Sequence, residues 1–188
     1  MVLSVCSFLT GMSADLFPPQ EPEWLLCLVN RDNRLPHAYV PPDLVLPTVA
    51  AAPQKEEAIY MRKEAAEALE DLFKAAAEDG HNLYAVSGYR SYALQKSIYD
   101  RKVEAVGEKR AMLTVARQGT SEHQLGLAMD VNGESTVALG LVQDFGDTPE
   151  GIWVYKNAHL YGFIVRYQEG KTSITGYAWE PWHLRYIG

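Results

Sequence analysis

The sequence predicts an α+β fold: a single domain with a mainly antiparallel sheet flanked by helices. Three observations predict it. Strong helical periodicity fills the middle of the chain, aromatic and β-branched runs fill its end, and no internal repeat or low-complexity linker separates them. With 188 residues, 47% of them hydrophobic and 22% charged, the chain can bury a real core without disulfide staples.

Residues 1–53 carry Pro18, Pro19, Pro22, Pro36, Pro41, Pro42, Pro47 and Pro53 and show little periodicity. Proline favours turns and extended chain over helix interiors, so this stretch is expected to be an N-terminal arm packed on a domain spanning 54–188. Within the arm, Trp24 to Asn30 (WLLCLVN) is apolar enough for a strand. From Gln54 to Asp79, Ile59, Ala66, Leu69, Phe73 and Ala76 recur at three- and four-residue spacing, and Gly80 offers a stop, which predicts a helix. Asn82 to Ser87 reads as a strand. Ser91 is placed to cap a second helix running to about Val106, and a third is expected from Glu108 to Arg117, closed by Gly119. Thr148 followed by Pro149 has the form of a cap and a first helical residue, with Gly162 as the terminator. Phe163 to Tyr167 and Tyr177 to Tyr186 complete the pattern as strands.

The net charge of -7 argues against nucleic acid as a partner. The apolar runs fall short of the roughly 18–20 residues that span a bilayer. The first residues, MVLSVCSFLTGMSADLFPP, lack the positive start of a secretory signal. Cys6 and Cys27 can pair in an oxidising compartment, but two cysteines do not establish one.

Candidate chemistry begins at Ser121 to Val131, SEHQLGLAMDV, where His123 and Asp130 interrupt an apolar run. Residues seven apart in a regular strand face opposite ways, so the two converge only if the chain bends, and Gly126 is the least costly place for that. Alone, they form either a satisfied core pair or part of a site. Trp179 to Tyr186, WEPWHLRY, adds Glu180 and His183. Two imidazoles and one carboxylate are a donor set that catalytic zinc uses with its fourth position open, and the remaining carboxylate is then available as a proton acceptor. Pro181 stiffens the link from Glu180 to His183. His37, His81 and His159 lack such company and read as surface or packing residues. A third segment, Ser87 to Gln95 (SGYRSYALQ), places Arg90 where a strand gives way to a helix. A guanidinium there either grips a ligand carboxylate or pairs with an acid of its own fold. Gln95, one turn onward, can add a hydrogen bond to the same ligand.

Together the three segments resemble the VanY-type D-alanyl-D-alanine carboxypeptidases, a family that includes L,D-carboxypeptidases. Its pattern is SGYRS-x-x-x-Q, then S-x-H-x-x-G-x-A-x-D, then E-x-W-H, matched here by SGYRSYALQ, SEHQLGLAMD and EPWH. LVNRDNRLPHAYVPPDL, Leu28 to Leu44, also looks like the family's opening segment. The resemblance implies a Hedgehog-like peptidase fold and Zn2+ held by His123, Asp130 and His183. It also implies Glu180 as catalytic acid/base, and Arg90, Gln95 and Ser121 as substrate-binding residues. The implied substrates are peptidoglycan stem peptides that lose a C-terminal D-alanine, cut by a catalytic domain at 54–188. Export to the cell wall or the outer face of a bacterial membrane is implied as well. No obligate protein partner is evident in the sequence. Two other readings share the residues: an endopeptidase of the same fold, and a non-catalytic wall-binding domain stabilised by zinc.

Overall fold

The computed structural model describes residues 24–53 and 59–188. Cys6, the first residues of the arm and the start of the helix expected at Gln54 lie outside them. The elements in order are β1 (Leu44–Val45), β2 (Met61–Arg62), α1 (Lys63–Glu78), β3 (Leu83–Ser87), α2 (Tyr92–Val106) and α3 (Glu108–Ala111). They continue with β4 (Ala128–Gly133), α4 (Pro149–Asn157), β5 (Phe163–Tyr167), α5 (Thr172–Thr175) and β6 (Glu180–Tyr186). β1 and β2 make a small antiparallel pair, and the main sheet has the order β3-β4-β6-β5 with antiparallel neighbours throughout. The expected α+β architecture is therefore present.

The core lies on one face of this sheet. α1 buries Ala65, Ala66, Leu69, Leu72, Phe73 and Ala76, the i, i+3, i+4 stripe of an amphipathic helix. That stripe shares a core with Leu83 and Ala85 of β3, Met129 and Val131 of β4, Val165 of β5 and Leu184 of β6. Side chains alternate along a strand, so committing Met129, Val131 and Leu184 to the core sends Asp130 and His183 to the other face. The register then aligns them. Asp130 is opposite Ser87 on one side and His183 on the other. Trp24, Val29, Leu35 and Tyr39 join the same core from the proline-rich region.

The caps form as the sequence predicts. Ser91 accepts from the Leu94 amide at 3.2 Å and Thr148 from the Gly151 amide at 3.1 Å, with Pro149 in the first turn of α4. Several boundaries differ. Trp24 to Asn30 is a turn followed by irregular chain, not a strand: the Cys27 amide bonds to the Trp24 carbonyl, and the Arg62 guanidinium lies 3.5 Å from the centre of the Trp24 ring. The first helix starts at Lys63, because Met61 and Arg62 are taken by pairing with β1. The third helix stops at Ala111 instead of Arg117. Two carbonyls there are claimed from outside, Leu113 by the Ala178 amide and Ala116 by the Gln95 side chain, and Thr114 and Val115 are weak helix formers. The last strand begins at Glu180, since the Tyr177 amide bonds to Thr175 in the turn after α5.

Between His123 and Asp130 the chain makes one tight turn at Glu122–Leu125 and leaves it through Gly126 at φ 71°. A side chain at Gly126 would be strained by that φ and would also meet Leu44 at 2.9 Å. Gly88 is constrained by proximity instead: a Cβ there would lie 2.4 Å from the Tyr60 carbonyl oxygen and 2.8 Å from the Ile59 carbonyl carbon. Gly88→Ala must push backbone aside, and it is expected to cost roughly 1–3 kcal/mol, the usual range for overpacking. Denaturant melts of parent and variant measure this; equal midpoints would show that the segment has room to relax.

Candidate metal centre

His123 comes from the tight turn, Asp130 from β4 and His183 from β6, and all three are buried. Each offers one donor atom, and the three lie within 4.8 Å of one another. His123 Nε2 is 3.3 Å from Asp130 Oδ2, and His183 Nδ1 is 3.0 Å from Asp130 Oδ1. The rings meet edge to face with centroids 4.9 Å apart. The opposite nitrogen of His123, Nδ1, is 2.7 Å from the Gly88 carbonyl oxygen. A carbonyl can only accept, so Nδ1 carries the proton and the Nε2 lone pair accepts from Arg90 Nη2 at 2.8 Å.

Two nitrogens and one carboxylate oxygen fit a divalent transition metal of zinc type. The surroundings are built for positive charge. Arg90 Nη2 lies 2.8 Å from Asp130 Oδ2 and 2.8 Å from His123 Nε2, so a cation already faces these donors. Arg90 is itself held by Ser87 Oγ at 3.0 Å and Gln95 Oε1 at 3.0 Å. Gln95 donates its amide to the Ala116 carbonyl at 2.7 Å and is almost fully buried. It is not among the residues lining the cavity, and in this structure it touches the site through Arg90.

Ser87, Arg90, Ser121, Tyr167, Trp179, Trp182 and Glu180 surround the triad in a cavity of about 520 Å3, a size that suits a small peptide end. Burial raises the Glu180 carboxyl to about 7 against the opposing pull of His183. No hydrogen bond or ion pair engages the Glu180 side chain among the described residues. It is a carboxylate poised near neutrality and free to exchange a proton. Asp130 is the opposite case. Burial disfavours its charge, but His123 and His183 outweigh that and hold it well below the usual carboxylate range. Burial and Arg90 lower His123. In His183, burial is overcome by hydrogen bonds to two carboxylates, which push it up to about 9.

The second of those carboxylates is Glu122, to which the sequence analysis assigned no role. Its Oε2 is 3.3 Å from His183 Nε2, while Oε1 accepts from Arg166 Nε at 2.8 Å and lies 3.9 Å from Arg185 Nη1. Burial works against its charge, but His183, Arg185 and Arg166 bring it down to about 2. Tyr167 packs its ring 4.8 Å from His183. The available sequence signal was a charged residue beside a metal-type histidine in an apolar run, but its partners, Arg166 and Arg185, come from distant strands.

The VanY family, described as D-alanyl-D-alanine carboxypeptidase, matches residues 58–188. The chain belongs to the VanY family. It is 51% identical over 170 residues to the putative carboxypeptidase YodJ of Bacillus subtilis (strain 168), a match covering 90% of this chain and 62% of YodJ. The chain thus spans under two thirds of the length of that relative. Among solved structures, the LdcB LD-carboxypeptidase superposes with a TM-score of 0.80 at 50% identity, covering 87% of this chain and 77% of LdcB. A variant of the vancomycin resistance D,D-pentapeptidase VanY, in complex with Zn(II), superposes with a TM-score of 0.70 at 37% identity, covering 88% and 89%. His123, Asp130 and His183 lie within the matched residues and form one buried cluster of metal-type donors.

Glu122 and Asp130 set an acid limit on stability. Glu122 is depressed in the folded state, so its contribution is complete above its ordinary value of 4.5 and is lost as the pH falls to about 2. Asp130 acts in the same sense. With chelator present, the thermal midpoint is expected to fall between about pH 4.5 and pH 2, and Glu122→Gln to flatten that fall. Scanning calorimetry at stepped pH tests this; a variant with an unchanged slope removes Glu122 from the account.

Proposed function

We propose that this protein is a zinc carboxypeptidase that removes the C-terminal D-alanine from peptidoglycan stem peptides, with 54–188 as its catalytic unit. The observation that carries the reading is Glu180, raised to about 7, in one cavity with three buried metal-type donors. His123, Asp130 and His183 hold the metal in this reading, and a bound zinc ion supplies Lewis-acid activation of water and of the scissile carbonyl. Glu180 takes the proton of the attacking water and returns it to the departing amine. Burial raises the proton affinity of this carboxylate, which favours its taking the proton, and a nearby cation moderates that affinity and favours its release. The open cavity next to the triad also favours hydrolysis over a purely structural site, which uses a fourth protein ligand.

Arg90 and Ser121 bind the substrate in this scheme. Arg90 stands beside the donors with Ser87 and Gln95 on two nitrogens and its Nη2 on Asp130. With a metal neutralising Asp130 in its place, that nitrogen would be available to a peptide's terminal carboxylate close to the scissile bond. Such a clamp selects free C-termini, which favours an exopeptidase over an endopeptidase. The stronger likeness to LdcB than to the D,D-pentapeptidase supports an L,D bond as the one cut. The substrate places the enzyme at the outer face of the membrane or in the wall. No helix among the described residues is long and apolar enough to cross a membrane.

Glu180→Gln is expected to lower kcat by about 10²–10⁴-fold, the usual contribution of a general base, while zinc content stays stoichiometric. Metal analysis beside turnover tests it, and a variant with near-parental kcat excludes Glu180 as the base. Because Glu180 must start deprotonated, kcat/KM falls as the pH drops through its pKa. A nearby cation favours the charged form, so the zinc-loaded limb is expected below about 7. A rate profile with its acid limb above that value contradicts the assignment. The reaction itself is tested by offering tetrapeptide and pentapeptide stems side by side and weighing the products. Loss of one alanine from the tetrapeptide is expected; internal cleavage or no cleavage rejects the proposal.

A further inference from the structure

His183 is held at both nitrogens, and the two contacts are not equivalent. Nδ1 faces Asp130 Oδ1 at 3.0 Å, on the side of the other donors, and Nε2 faces Glu122 Oε2 at 3.3 Å, across the ring from Asp130. A neutral imidazole has one N–H and one lone pair, and only the lone pair can bind a metal. Which nitrogen keeps the proton therefore decides whether His183 can serve as a ligand together with Asp130.

Glu122 is placed to make that decision. Its side chain is 3% exposed, it receives Arg166 Nε at 2.8 Å, and Arg185 Nη1 stands 3.9 Å away. Two guanidinium groups keep the carboxylate ionised, and an ionised carboxylate only accepts hydrogen bonds. Among the described residues, the buried Arg185 Nη1 has no hydrogen-bond partner of its own, and its charge acts on Glu122 through space. Arg185 is held in place by the carbonyls of Leu25, Cys27 and Tyr186. The arrangement runs in series: the two arginines fix Glu122, Glu122 accepts from His183 Nε2 and Asp130 accepts from Nδ1. The proton given up on metal binding would therefore be the one on Nδ1, beside the other donors, and Glu122 would keep its own.

We propose that Glu122 is a positioning residue for the metal centre, directing the His183 proton to Nε2 and presenting Nδ1 as the donor. Glu122 touches neither substrate nor metal in this assignment. It rests on the metal-binding part of the proposed function, not on the identity of the substrate. The sequence neighbour of a ligand thus serves the other histidine of the site, 61 positions away, instead of His123 beside it.

The decisive measurement uses the unaltered chain loaded with zinc and labelled with 15N-histidine. Long-range 1H–15N correlation spectra are expected to show His183 bonded to zinc through Nδ1 with its proton on Nε2. A second measurement titrates zinc against a chelator in Glu122→Gln, where affinity is expected to fall about 10–100-fold, as for other partners of metal-bound histidines. A role limited to neutralising Arg166 and Arg185 would lower the melting temperature and leave the affinity of the folded fraction unchanged. Zinc bonded to Nε2, or a folded Glu122→Gln with less than a tenfold loss, overturns the assignment. Should that variant fail to fold, the spectrum of the unaltered chain decides alone. A chain that takes up no zinc overturns it together with the metal reading. A chain that binds zinc through Nδ1 but frees no D-alanine leaves Glu122 in its role and removes the carboxypeptidase reading.

Discussion

Asp130 and His183 face each other across neighbouring strands, 3.0 Å apart and almost wholly shielded from water, and the rest of the site is arranged around that contact. A buried carboxylate is costly unless paired, and removing one partner of such a pair typically costs about 3–5 kcal/mol. Here the cost is met by several groups at once. Asp130 receives His183 on one oxygen and Arg90 on the other, with His123 Nε2 close to the second. Each of those groups is held in turn by something rigid: His123 by the Gly88 carbonyl, Arg90 by Ser87 and Gln95, His183 by Glu122. A centre built this way keeps its geometry because every donor is fixed at its far end.

The sheet explains why these groups meet. Committing Met129, Val131 and Leu184 to the core behind the sheet forces Asp130 and His183 to its other face, and antiparallel pairing sets them side by side. A one-residue slip of β4 against β6 would turn both away from each other and expose core residues, so the core protects the register of the site. The tight turn at Glu122–Leu125 then brings His123 over the end of β4, and Gly126 at positive φ makes the reversal possible.

The carboxylates show how environment divides work among like groups. Asp130 and Glu122 sit among cations and stay charged far into acid, while Glu180 has burial without a bonded partner and rises to about 7. Burial and the balance of neighbouring charge separate them, and a chain segment alone reveals neither.

By itself, the sequence determined the order and type of most elements, since periodicity and caps are local physics: Ser91 and Thr148-Pro149 mark starts that the structure keeps, whereas α4 ends at Asn157 and a tighter turn, Ala158–Tyr161, leads on to Gly162. It also showed the need for a bend at Gly126, and through its three segments it pointed to the family. Tertiary structure decided the rest, because the causes lie far apart in the chain. Carbonyls of Leu113 and Ala116 are taken by Ala178 and Gln95, which ends a helix the local pattern would extend. Core packing turns Trp24 to Asn30 into a turn rather than a strand. The occupied amide of Gln95 and the place of Glu122 between His183 and two arginines depend on strands that meet only once the sheet has formed.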